Sequence, residues 1–142
     1  MTYKQDDWEK ACRRLAHARE LYNAYQLQDK KTRTTDDLDR AILDCWSFGE
    51  YAVNVALECR KLKPVQNHTQ PQEARDLYRS GDLAQDYHDT LERLERFRKK
   101  ASHLGYVKDR STHYSSADLE RCISHLESLQ AEVAELLRTS PP

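Results

Sequence analysis

Apolar residues recur at three- and four-residue intervals along most of the chain, the spacing of one face of an α-helix. The first such stretch runs from about Tyr3 to Leu27 and carries Trp8, Cys12, Leu15, Leu21, Tyr22 and Tyr25. A polar stretch from Gln28 to Thr35 interrupts it. Thr35 or Asp36 then serves as the cap of a second helix, which Lys63–Pro64 stops after about Lys61. Thr69 and Pro71 have the order of a cap and an early-helix proline, opening a short third helix that ends before Gly81. A fourth helix is expected from about Leu83 to Leu104, with Gly105 as its stop. Ser115 or Ser116 opens a fifth through Leu119, Cys122, Ile123, Leu126, Leu129, Val133, Leu136 and Leu137. The expected domain covers residues 1–138, with a disordered tail at 139–142.

The second helix is apolar on more than one side. Leu38, Ile42, Cys45, Gly49, Ala52, Val53 and Ala56 form one stripe, and Leu43, Trp46 and Leu57 lie about a quarter turn away. Such a helix either sits centrally in a bundle or also faces a second subunit. Glu50 falls in the second stripe, and a carboxylate among apolar neighbours calls for a cationic partner. The fourth helix offers one. Its core stripe reads Tyr87, Leu91, Leu94, then Arg98 where an apolar residue is due, then Ala101. A break in a local rule is where functional sites concentrate.

Composition narrows the field. Three Gly and four Pro in 142 residues disfavour a turn-rich β protein and a glycine-loop nucleotide fold, which leaves an all-α chain. Mean hydropathy is −0.96, and no apolar run has membrane-spanning length. The first ten residues lack a basic and an apolar region in signal-peptide order, so a cytoplasmic location is expected. Twenty-three basic and 24 acidic side chains leave a net charge of −1, so bulk positive charge is not what binds a partner. A local basic cluster does exist: Arg93, Arg96, Lys99 and Lys100 surround Arg98 in sequence and are suited to phosphate oxygens. Cys12, Cys45, Cys59 and Cys122 are spaced as isolated core thiols. The six His show no metal-ligand spacing, so neither a metal nor another cofactor is expected. His68 reads as a capping or packing residue in its turn, and His17, His88, His113 and His125 as surface residues.

Five residues beyond Arg98 stands His103. The segment Arg98-Lys-Lys-Ala-Ser-His103 resembles the Arg-x4–6-His motif of HEPN domains. The long second helix with Glu50, the Asn67-His68-Thr69 turn and the final amphipathic helix fall in similar order. The resemblance implies a five-helix up-and-down bundle and a homodimer with a shared cleft. It further implies a metal-independent endoribonuclease of the toxin or phage-defence kind. Carried over, Arg98 binds the scissile phosphate, His103 moves protons, and Glu50 orients Arg98, with Asp44 or Ser47 as alternatives. An antitoxin or a nucleotidyltransferase would be the partner. The chain departs from the pattern at Lys99, where active members often carry Asn or another small polar residue. It departs again at Tyr106, three residues after the histidine rather than two. A second implication is a catalytically inactive HEPN module that binds a partner protein or a nucleotide.

Overall fold

The computed structural model describes residues 5–31, 36–65, 68–102 and 116–140. They form a bundle of five helices with no strand among the described residues: α1 (Gln5–Leu27), α2 (Asp36–Cys59), α3 (Gln70–Arg79), α4 (His88–Ser102) and α5 (Ser116–Thr139). No helix is long and apolar enough among these residues to cross a membrane. Expectations placed on Thr35, Asn67, His103, Gly105, Tyr106, His113, Ser115 and the last two residues lie outside the described residues; the expected tail starts later than residue 139, because Thr139 belongs to α5 and the Ser140 N–H donates to the Leu136 carbonyl.

α2 occupies the centre and packs against each of the other four helices. This explains its two-sided apolar pattern. Every residue of the first stripe is buried, and so are Leu57 and Phe48, which fill directions that one stripe would leave to solvent. Leu43 remains at the surface, 37% exposed. Gly49 marks the tightest crossing. A Cβ built there would stand 2.6 Å from a Leu91 methyl of α4 and 3.6 Å from one of Leu126 in α5. Across the bundle, Arg19 ties α1 to α5 through Glu120 and Glu127. The four cysteines are unpaired thiols, three of them buried, and burial pushes the Cys122 thiol up to about 11.

The α2–α3 connection sets the geometry of the functional region. α2 ends on Lys61 in the left-handed conformation (φ 58°), with the Leu62 N–H bonded back to the Leu57 carbonyl. Asn54 then grips Val65 from both sides: its amide Nδ2 donates to the Val65 carbonyl at 3.1 Å, and its Oδ1 accepts from the Val65 N–H at 3.0 Å. Thr69 takes the N-cap position of α3 and Pro71 lies in its first turn, as expected.

α4 begins later than the periodicity predicts. Leu83 and Tyr87 are fully buried, so the apolar pattern is real, but the backbone between Asp82 and Tyr87 bends rather than coils. Side chains take the backbone donors a helix would have used. Glu132 accepts from the Ala84 N–H, and Asp86 Oδ1 accepts from the His88 N–H in an Asx turn. The helix starts where these bonds release the chain.

A candidate active-site cluster at Arg98

Arg98 emerges on the face of α4 that looks toward α2 and the α2–α3 connection. The core stripe does not break at Arg98, because Phe97, one residue earlier, is buried and carries the packing. Arg98 instead occupies the rim, with its side chain 24% exposed. Its guanidinium carbon sits 4.4 Å from the centroid of the Trp46 ring. Glu95, one turn back on the same helix, accepts from Nη2 at 2.8 Å and from Nε at 3.4 Å. The Trp46 indole N–H donates to the other side of that carboxylate, Oε2. Glu95 and Trp46 therefore fix the plane of the guanidinium between them, while no described residue accepts from Nη1.

The carboxylate that orients Arg98 is thus Glu95, not Glu50. Helix geometry explains the exchange: a residue three positions back lies on the same face of α4 and reaches Arg98 without crossing to another helix. Glu50 binds His68 instead, Oε2 to Nδ1 at 2.8 Å, and acts on Arg98 only at longer range. Neither alternative orienter contacts Arg98. Asp44 pairs with His17 at 2.6 Å, and Ser47 lines a groove against α1 beside Arg14 and Tyr51. The electrostatics follow from these contacts. Burial raises the Glu95 carboxyl, but hydrogen bonds from Arg98 and Trp46 outweigh it and hold the group below its ordinary value. The bond to Glu95 raises Arg98 further against a smaller opposing effect of burial.

His68 packs as expected, against Trp46, and is also a member of this cluster. Its ring lies 5.7 Å from the Trp46 ring, and its backbone is left-handed at φ 63°, uncommon for a residue other than glycine. Trp46, Glu50, His68, Gln70, Pro71, Leu91, Leu94 and Glu95 enclose a small pocket of about 10 Å³, room for one water molecule or one ion.

The other basic residues do not gather around Arg98. At 100° per residue, Arg96 lies about 160° around α4 from Arg98 and is exposed, while Arg93 is half-buried and acts on Cys122 of α5. Lys99 is exposed, one position further around the helix. The side chain of Lys100 and the whole of His103 lie outside the described residues.

The other described histidines, His17, His88 and His125, are half-buried. His17 bridges α1 to Asp44 of α2, and His88 lies between Asp89 and Glu92 with 18% of its side chain exposed. His125 stacks on Tyr87 with ring centroids 4.3 Å apart. His17 and His125 each meet a residue from another helix, whereas His88 is held by carboxylates of its own helix.

Among known proteins, no family model, no curated protein and no solved structure matches this chain.

Proposed function

We propose that the protein is a metal-independent endoribonuclease of the HEPN type, acting as a homodimer, with Arg98 as its phosphate-binding residue. The observation that carries the reading is the preparation of Arg98: a guanidinium stacked on Trp46, held by Glu95, partly exposed, and with no acceptor at Nη1 among the described residues. A planar, permanently charged fork in that state suits two oxygens of a phosphodiester, and its orientation is set before the ligand arrives. Stacking on an indole adds about 0.5–2 kcal/mol to that orientation. The position of His103 five residues along supports the same reading.

In the cleavage step the ribose 2′-oxygen attacks the adjacent phosphorus and the 5′-oxygen of the next nucleotide leaves. His103 serves in proton transfer, accepting the 2′-hydroxyl proton as the new P–O bond forms and returning a proton to the 5′-oxygen as its bond to phosphorus breaks. Arg98 balances the charge that builds on the non-bridging oxygens. The products are a 2′,3′-cyclic phosphate and a 5′-hydroxyl, and DNA, lacking the 2′-hydroxyl, is inert.

The test incubates purified protein with total RNA in EDTA beside Arg98→Lys and His103→Ala variants. Expected is cleavage by the wild type, a loss of about 10²–10⁴ in rate for His103→Ala, and a large loss for Arg98→Lys, whose point charge cannot replace a fork. Equal cleavage by all three would assign the activity to a contaminant. No cleavage by any would leave the inactive binding module as the better reading. Sedimentation equilibrium at micromolar concentration, giving only a 16.7 kDa species, would end the homodimer.

A further inference from the structure

Beside Arg98 the fold brings together three groups that metals use. Glu50 comes from α2, His68 from the connection before α3, and Glu95 from α4. One ligand atom of each lies within 4.8 Å of the other two. A fourth group lines the same pocket. Gln70 is 2% exposed, with its Nε2 donating to the Val65 carbonyl at 3.1 Å. Its Oε1 is buried with no hydrogen-bond partner among the described residues. A buried amide oxygen without a donor is a rare condition in folded proteins, and a cation satisfies it as well as a donor does.

We propose that Glu50, His68, Glu95 and Gln70 form a binding site for a single divalent transition-metal ion of the zinc class. One imidazole nitrogen with carboxylate and amide oxygens is a borderline donor set that suits Zn²⁺ or Co²⁺. Ca²⁺, which takes six to eight oxygens, and Mg²⁺, which demands an octahedron of oxygens, fit it poorly. Bonds of about 2.1 Å in a tetrahedron place ligand atoms about 3.4 Å apart, so rotations of the two Glu side chains close the present spread. Glu95 keeps its bonds to Arg98 and Trp46, because a carboxylate offers further lone pairs, and those donors hold it in place as outer partners of a ligand do. The His68 imidazole, carried on a left-handed backbone, already lies 2.8 Å from the Glu50 carboxylate.

This site shares Glu95 with the Arg98 cluster but does not rest on the cleavage reading, and it is tested without RNA. Chelator-treated protein is titrated with ZnCl₂ and, in parallel, CoCl₂, and bound metal per chain is measured after gel filtration. Expected is one ion per chain, a cobalt absorption spectrum of low-symmetry N/O coordination, and a rise in melting temperature. Glu50→Gln and His68→Ala should each weaken binding at least tenfold, and His17→Ala, remote from the cluster, should leave it unchanged. Nitrogen NMR of the unmutated protein, following the His68 Nδ1 resonance on Zn²⁺ addition, holds the test firm if a variant folds poorly. Absence of bound metal, an unmoved His68 resonance, or full binding by both variants would overturn the proposal. A chain that binds zinc and cleaves nothing ends the ribonuclease reading and keeps this site; a chain that cleaves RNA in EDTA and binds no zinc does the reverse.

Discussion

Two clusters flank α4, built from nearly the same inventory of an aromatic ring, a histidine and glutamates. On the α5 side, Tyr87 donates its hydroxyl to Glu132 Oε2 at 2.5 Å, and Glu132 Oε1 takes the Ala84 N–H. His125 stacks on Tyr87 and uses both ring nitrogens, one with Thr90 and one with Gln85. Every side chain of this group is occupied. On the α2 side, Trp46, Glu50, His68, Glu95 and Arg98 are connected as densely, yet among the described residues a buried amide oxygen and one edge of a guanidinium have no partner. Polar residues alone therefore do not mark a site. Unused bonding capacity does, because a closed network already spends on the fold what an open one keeps for a ligand.

The sharpest way to break this comparison is Glu132→Ala. It strands the buried Tyr87 hydroxyl and removes the acceptor that turns the chain into α4, so it should cost about 2–3 kcal/mol in urea unfolding. Zinc binding and RNA cleavage should be unaffected. A loss well under 1 kcal/mol would mean the closed cluster is no more structural than the open one. Gly49→Val follows. It drives a side chain into Leu91, where α2 crosses α4 between the two clusters, and should cost about 1–3 kcal/mol. Glu95→Gln is expected to reverse the pattern, changing stability by less than about 1 kcal/mol, as partly exposed ion pairs do, while lowering RNA cleavage at least tenfold.

Acid should separate the clusters by pH, with the smallest effects of all. Burial depresses His125, against weaker opposing fields from Glu132 and Asp86, so the unfolded chain takes up the proton first. Its contribution is fully present above the ordinary histidine value of 6.5 and is lost as pH falls through the depressed folded value. Glu95, also depressed, contributes above its ordinary 4.5 and is lost only as pH falls further. Urea titrations should show the first loss vanish in His125→Gln and the second in Glu95→Gln.

The helices were legible because each amphipathic run ends at a proline, a glycine or a polar stretch. The late start of α4 was not, since Leu83 and Tyr87 keep helical spacing while Asp86 and Glu132 capture the backbone donors. Arg98 was legible as an anomaly among apolar residues. Its partner Glu95 could have been read from the three-residue spacing alone, but Glu50 drew attention because its own helix looked too apolar for it. His68 and Gln70 carry no such signal. They reach the cluster through the Asn54–Val65 clasp and a left-handed residue, long-range features that no periodicity encodes.

The central position of α2 has a consequence for hydrogen exchange. A helix covered by every other helix opens only when the whole bundle does, so its mid-helix amides should exchange at the free energy of global unfolding. Among the described residues α3, ten residues long, packs on α2 and α4 alone, so it should be the piece that detaches first. Because His68 and Gln70 travel with α3 while Glu50 and Glu95 stay behind, the cluster straddles a seam between a slow-exchanging body and a fast-exchanging flap. An ion or ligand seated there would stitch the seam, and the slowing of exchange would register in the amides of α3.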